Sequence, residues 1–295
     1  MKADLEIKQQ VRDFYDQVGW RQVSEGVYQN ARYEDLRPVS REYIHRCHMR
    51  VRRHLAVKGD MLLDAGSGPI QYPEYLTYSE GYRYRLCLDI SIVALQEARN
   101  RIGVHGLYVV GDIAYLPLKG GSMDGIVSLH TVHHLPFEQQ PAAYRELFRV
   151  LRAGRSAVVV NGWKDSRIMK NLRWCMTAME FCMGMVKRLA SPRPAPPQES
   201  EPAVSTGRQP TGTYAQHLNA FTLQQALSES GIPAGIRVWR SVSTRFLRTV
   251  IHPRLAGRLC LRLLFWLEER FPFYFGRHGQ YPLVVIRKPG MESEA

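Results

Sequence analysis

Cysteine is scarce in this chain of 295 residues, and what there is does not pair. The five thiols, Cys47, Cys87, Cys175, Cys182 and Cys260, are odd in number and widely scattered, with no Cys-x-x-Cys and no Cys/His cluster at zinc spacing. This pattern excludes a disulfide framework, offers a metal no thiolate site, and reads as buried thiols in a reducing cytosol. Long apolar runs are missing as well. The stretch from Trp174 to Met179 stops at Glu180, and that from Leu263 to Leu267 is flanked by Arg262 and Glu268. Both fall far short of the roughly 20 residues that span a bilayer. The opening MKADLEIKQQVRDFYDQ is charged throughout and lacks the apolar core of a signal peptide, so the expectation is a cytoplasmic protein, with contact at the inner membrane surface left open. Acidic residues are outnumbered, 27 Asp and Glu against 40 Lys and Arg, giving a net charge of +13 and a pI near 9.7. That excess suits a phosphate-rich, nucleic-acid or anionic-membrane partner and equally describes a solvated basic surface, because charge governs association and not fold.

What is present is enough apolar content, 45%, to bury a full core. Residues 5 to 57 are helical in pieces, with Val11, Phe14, Tyr15 and Val18 at 3/4 spacing and Gly19 as a stop. From Asp60 the pattern becomes MLLDAGSG, YRLCLDIS, SIVALQEARNR, LYVVGD, DGIVSLH, AAYRELFRVL and SAVVVNGW, strand alternating with helix. This rhythm implies an α/β fold, a parallel sheet covered on both faces, with ligands at the carboxyl ends of its strands. After Trp163 a helix is expected over SRIMKNLRWCMTAMEFCMGMVKRLA, with Ile168, Leu172, Cys175, Met176, Met179, Met183 and Val186 on one face. The Pro- and Ser-rich residues 191–212 read as a flexible loop. FTLQQALSESG then reads as a helix, IRVWRSVS as a strand, PRLAGRLCLRLLFWLEERF as an amphipathic helix and YPLVVIRKP as a final strand. The expected organisation is a helical cap (1–57), a nucleotide-type core (58–163), a helical insertion with its loop (164–213), and the remainder of the core domain (214–295). No internal repeat is evident.

Three carboxylates fall where such a sheet binds ligands. Leu62, Leu63 and Asp64 end the first strand, and Ala65-Gly66-Ser67-Gly68-Pro69 turns the chain. The glycines let the backbone approach a ligand, and the turn N–H groups can hold a carboxylate, although a glycine-rich turn serves any fold of this kind. A dinucleotide fingerprint would need glycine at position 71, where the chain has Gln71. Asp89, about twenty residues past the loop, can accept two hydrogen bonds from a ribose diol, or cap the next helix, a task Ser91 performs as well. Asp112, in LYVVGD, can accept from an adenine amino group while the N–H of Ile113 donates to the ring, or can be a simple turn residue.

LLDAGSGP, LDIS, GDIAYLPLKGGSMDGIVSLHTVHHLP and the strand after FRVLRAG resemble the successive motifs of class I S-adenosylmethionine (SAM)-dependent methyltransferases, particularly the small-molecule branch that includes quinone C-methyltransferases. The resemblance covers about residues 58 to 163, and YPLVVIRKP matches the last strand. It implies a doubly wound, Rossmann-like seven-stranded sheet of order 3-2-1-4-5-7-6 with that strand antiparallel. It also implies that Asp64, Gly66 and Gly68 contact the methionine part of SAM, Asp89 the ribose, Ile90 the adenine face, and Asp112 with Ile113 the adenine edge. Ala65, Ser67, Leu129, His130 and Tyr15 complete the expected cofactor set. Ile70 stands where many members have glycine.

The sulfonium methyl is already electrophilic, so in-line positioning supplies much of the rate, and a base is needed only where the acceptor loses a proton. His133 and His134, just past the fourth strand, are the candidate catalytic bases; the alternative for both is a structural or cofactor-contact role. His217 carries the same pair of readings. Tyr15 and Trp20 are candidate lid aromatics, or else core. The cap, the Met-rich helix and the Arg-lined helix (Arg254, Arg258, Arg262) favour a small-molecule or lipid-like acceptor and admit a peripheral membrane contact. A nucleic-acid methyltransferase is the alternative on charge, weakened because SLHTVHHLP lacks the Asn/Asp-Pro-Pro-aromatic motif. The non-enzymatic alternative is a SAM-binding protein without transfer.

Overall fold

The computed structural model describes residues 2–24, 27–29, 34–190 and 213–290. The expected flexible loop, 191–212, lies outside the described residues. Seven strands form one sheet: β1 Gly59–Ala65, β2 Tyr82–Asp89, β3 Gly106–Val110, β4 Gly125–Leu129, β5 Ser156–Val160, β6 Ala234–Arg240 and β7 Tyr281–Arg287. Their spatial order is β3-β2-β1-β4-β5-β7-β6. Neighbours from β3 to β5 pair in parallel, and β7 runs antiparallel to both β5 and β6. This is the doubly wound order that the family resemblance implies, with YPLVVIR as the reversed strand.

The helices are α1 Lys2–Phe14, continued by a π-helical turn Tyr15–Gly19, then α2 Arg41–Met49, α3 Pro73–Leu76, α4 Ile92–Ile102, α5 Gln140–Val150, α6 Arg167–Asn171, α7 Arg173–Ala190, α8 Ala220–Glu229, α9 Thr244–Val250, α10 Gly257–Arg270 and α11 Pro272–His278. The central strands are apolar on both faces because helices cover both. On one face Leu63, Leu88 and Ile126 pack with Leu147 of α5 and Leu223 of α8. On the other, Leu62, Cys87 and Val127 pack with Leu95 and Ala98 of α4.

A third core joins the two ends of the chain. Tyr43, Ile44 and Cys47 of α2 meet Phe246 and Leu247 of α9, Leu261 and Phe265 of α10, and Met176 of α7. A buried ion pair, Arg50 Nη1 to Glu268 Oε2 at 2.9 Å, stitches the same junction, and the Tyr43 hydroxyl donates to Glu268 Oε1 at 2.8 Å.

Two local expectations are corrected. The Met-rich segment is two helices, broken at Leu172, and Val186 is 64% exposed, so it leaves the face that Met176 buries. The five thiols are not all buried as expected, since Cys182 and Cys260 lie exposed. Ile70 takes a left-handed φ of 55°, and Pro73 then starts a helix of four residues only.

Candidate active site

The carboxyl ends of β1 to β4 open on one cavity of about 480 Å³. The loop after β1 makes its floor because its backbone turns twice through left-handed space, Gly66 at φ 74° and Gly68 at φ 52°. A Cβ on Gly66 would lie 2.2 Å from the Thr131 side chain, and one on Gly68 would lie 3.0 Å from the Trp20 ring. Glycine is therefore required twice, for conformation and for space.

Asp89 ends β2 and is 9% exposed. Its two oxygens accept from the backbone N–H groups of Gly68 and Ser91, each at 2.9 Å, so it braces the glycine loop. Ser91 caps α4, its Oγ accepting from Ala94 N at 3.0 Å, which leaves Asp89 to the cavity. Burial raises the Asp89 carboxyl to about 6, against the lowering effect of those two amides. Asp112, past β3, accepts from Ala114 N at 2.9 Å and forms an ion pair with Lys8 of α1. Ser67, Ile90, Ile113, Leu129 and His130 also line the cavity.

Of the expected cofactor contacts after β1, one is corrected and one has a second task. Ala65 is not part of the wall: its methyl is wholly buried, pointing with Leu63 into the helix-covered core as strand alternation dictates. Asp64 reaches the wall, yet its Oδ2 accepts from both Nε and Nη2 of the buried Arg85, so this carboxylate ties β1 to β2.

The segment from α1 through the π turn touches the ends of four strands in succession. Trp20 lies against Gly68 after β1, Asp16 accepts from Ser91 Oγ after β2, Lys8 pairs with Asp112 after β3, and the Tyr15 hydroxyl is 2.8 Å from His134 Nε2 after β4. Tyr15 also stacks on Trp20 at 4.9 Å. Both expected lid aromatics line the cavity, so they cover the site as well as packing on each other.

Three histidines share one tautomer. His134 Nδ1 is 2.7 Å from the Tyr214 carbonyl and His217 Nδ1 is 3.0 Å from the Gly162 carbonyl. A carbonyl only accepts, so both Nδ1 atoms carry the proton and both Nε2 atoms are acceptors. His133 Nδ1 bonds Asn161 Oδ1 at 3.2 Å, with Asn161 Nδ2 donating to the Tyr144 hydroxyl at 3.4 Å, which sets the same tautomer. The His133 ring stacks on His217 at 4.5 Å. Burial keeps all three neutral, pulling His134 down to about 4, with the neighbouring imidazoles adding to the effect on His133. His130 is held differently, at φ 57° and against the Trp239 ring at 5.0 Å, and burial lowers it to about 3.

A buried charge cluster completes the wall. Arg240, at the end of β6, pairs with Glu34, whose second oxygen faces His48 Nε2 at 3.7 Å, and His48 Nδ1 is 3.3 Å from Glu74. Burial works to raise Glu34, but Arg240 and His48 outweigh it and hold the carboxyl at about 2. Arg240 is 2% exposed, lies 4.7 Å over the Tyr281 ring, and its Nε has no hydrogen-bond partner among the described residues. Sequence reasoning missed Lys8, Asp16, Glu34 and Arg240. Only Arg240 carried a signal, a charge at the carboxyl end of an otherwise buried strand.

Residues 63–159 match the family described as a methyltransferase domain. The chain carries a SAM-dependent methyltransferase domain, on the seven-stranded methyltransferase fold. No curated protein sequence matches it. Among solved structures, this methyltransferase is similar to the [4+2]-cyclase SpnF, at 17% identity and a TM-score of 0.52 over 96% of this chain and 97% of that one. It is also similar to geranyl diphosphate C-methyltransferase from Streptomyces coelicolor, at 14% identity and 0.52 over 96% and 98%. Phosphoethanolamine N-methyltransferase 1 of Haemonchus contortus aligns at 10% identity and 0.54, over 99% of this chain and 51% of that chain. At such identities the likeness is one of fold, and a fold hosts many acceptors and more than one chemistry. The described part of the methyltransferase contains no helix long and apolar enough to cross a membrane and no cluster of ligands for a metal ion.

The residues fit SAM. The glycine cradle admits close approach of a ligand to the backbone, and the carboxylates of Asp89 and Asp112 line the same cavity as the apolar side chains of Ile90 and Ile113. SAM supplies an electrophilic sulfonium methyl.

Proposed function

We propose that this methyltransferase acts on a small, largely apolar or lipid-like acceptor. The observation that carries the reading is the continuity of the cavity. The same space lined by Gly66, Asp89 and Asp112 is also lined by Tyr72, Tyr75 and Tyr281, with the Glu34–Arg240 pair beside them. An aromatic recess with a few placed polar groups is the usual form of a small-molecule site. Arg240 Nε, buried without a partner among the described residues, is a donor for an oxygen of the acceptor. Its charge is balanced by Glu34, which favours a carbonyl or hydroxyl oxygen over a full anion.

In this reading Asp89 holds the ribose hydroxyls, Asp112 and Ile113 the adenine edge, and the loop of Gly66, Ser67 and Gly68 the methionine part. Adenine recognition requires Asp112 to exchange Lys8 for the base. The lid of Tyr15 and Trp20 excludes water. The neutral Nε2 atoms of His133 and His217 are the acceptors for a proton where the substrate must lose one, while His134 Nε2 is engaged by Tyr15.

Among the relatives of this fold, one is a geranyl diphosphate C-methyltransferase and one a phosphoethanolamine N-methyltransferase, both acting on small acceptors by their names. The test is to supply SAM labelled in its methyl group to the protein with a cell extract fractionated into lipid, small-molecule and RNA pools. Label is expected in the lipid or small-molecule pool; uptake by RNA alone would overturn the reading.

A further inference from the structure

The outer surface of the C-terminal helices has no role in the cavity and presents an unusual face. α10 buries Leu261 and Phe265 in the third core, and on its opposite side exposes Leu259, Leu263 and Trp266, each between 58% and 68% accessible. Their spacing of four and three residues makes one continuous apolar stripe. Leu255 precedes the stripe, and Phe271, then Phe273 and Tyr274 of α11, follow it, all about half exposed or more.

The charge around the stripe is of one sign. Residues 244–278 contain seven arginines, no lysine and two acids, Glu268 and Glu269. Both acids are paired, Glu268 with Arg50 in the interior and Glu269 with Arg50 and Arg53 at the surface. Arg254, Arg258, Arg270 and Arg277 are exposed and form no ion pair among the described residues. The longer stretches outside the described residues are poor in apolar side chains to cover the stripe: residues 191–212 hold one large apolar residue, Val204, and 291–295 hold one, Met291.

We propose that α10 and α11 form a docking face for an anionic lipid surface, with Leu259, Leu263 and Trp266 in the acyl boundary and the arginines on the headgroup phosphates. The physics is that of an interfacial helix: an apolar stripe gains by leaving water, arginines near it gain from the negative surface potential, and neither requires a spanning segment. Charge complementarity selects this occupant over a second copy of the chain, which would bring the same unpaired arginines against their own kind. The face is continuous with the site, because α11 leads directly into Gln280 and Tyr281, both in the cavity wall. Docking goes beyond the acceptor reading and stands apart from it: a soluble acceptor would leave the face unchanged, and failure to dock would leave the methyltransferase assignment intact.

The test is co-sedimentation of the full chain with vesicles of equal parts phosphatidylglycerol and phosphatidylcholine, and with phosphatidylcholine alone, at low and near-physiological salt. The expected result is binding to the anionic vesicles that weakens with salt. The exposed double variant Leu263→Gln/Trp266→Gln should lower that binding about tenfold or more, while retaining the thermal midpoint and SAM affinity of the parent. Arg254→Gln/Arg258→Gln should reduce it at low salt and make its salt dependence shallower, since Arg270 and Arg277 remain. No binding to anionic vesicles at low salt overturns the proposal, as does binding that the Leu263/Trp266 variant leaves unchanged. Sedimentation velocity gives a third overturning result: a dimer of the parent, without vesicle binding, that the same variant converts to monomer would assign the face to a second copy.

Discussion

The hydroxyl of Tyr15 donates to Nε2 of His134 across 2.8 Å, and that ring is fixed in place by Nδ1 donating to the Tyr214 carbonyl at 2.7 Å. One hydrogen-bonded line thus joins the lid, the end of the fourth strand and the segment that starts at Thr213. Because burial keeps His134 neutral, the ring is an acceptor for Tyr15 throughout the neutral range. Removing the hydroxyl by Tyr15→Phe should cost about 1 kcal/mol of lid closure, a loss of about fivefold in S-adenosylhomocysteine affinity by calorimetry. His134→Ala should cause a similar loss, and the double variant should be no worse than the larger single effect, since both remove the same bond. Fully additive losses would show that the contact does not couple the two.

Asp89 predicts a pH dependence of cofactor binding. Its folded carboxyl is raised by burial from 3.8 to about 6, so between those values the native protein holds a proton that the unfolded chain has lost. The sign follows: this group's contribution to stability falls as pH rises from about 4 to about 6. Ribose hydroxyls donate to the ionised form, so affinity for S-adenosylhomocysteine should rise over the same window, by up to about tenfold per pH unit. Asp89→Ala should abolish the pH dependence and weaken binding severely. Unaltered affinity in that variant would remove Asp89 from the ribose.

Glu34 runs the other way. Its folded carboxyl is held at about 2 against an ordinary 4.5, so the stability it contributes is present above pH 4.5 and is lost as pH falls toward 2. Glu34→Gln leaves Arg240 charged in a buried site, and should lower unfolding stability by about 3–5 kcal/mol in urea titration. A loss below about 1 kcal/mol would mean that water reaches the guanidinium.

Gly66 and Gly154 separate strain from crowding. Both have φ of 74°, but a Cβ on Gly66 would strike Thr131 at 2.2 Å, whereas Gly154 has nothing within 4 Å. Gly154→Ala should cost only the left-handed penalty, about 1–2 kcal/mol, and leave cofactor affinity intact. Gly66→Ala should displace Thr131 and the loop, and lose most cofactor binding in a chain that still folds by circular dichroism. Equal effects at the two positions would contradict a cradle fitted to the ligand.

The alternation of strand and helix was legible because each element announces itself locally, whereas the order of the sheet came from the family resemblance. Leu62 and Leu63, Leu86 and Leu88, and Ile126 and Val127 are doubly buried strands read as apolar runs, and Ser91 and Asn219 cap the helices that follow short turns. The cofactor carboxylates were legible for the same reason, since a residue at the end of a parallel strand lies at the ligand face of any such sheet. Ala65 was misplaced because proximity to the glycines says nothing about which side of the strand a side chain takes. The break at Leu172 was missed because an apolar period continues across it.

What the order of amino acids determined by itself, then, is the alternation of strand and helix and the position of Asp89 and Asp112 at strand ends, because both follow from contacts within a few residues. The partners that the lid takes, and the charged recess, were decided by tertiary structure alone. Lys8 meets Asp112 across 104 residues of chain, Tyr15 meets His134 across 119, and Glu34 meets Arg240 across 206. Pairings at such separations leave no local period to read; they exist because α2 shares a core with α9 and α10, which brings the first segment of the chain and the end of β6 to the same cavity.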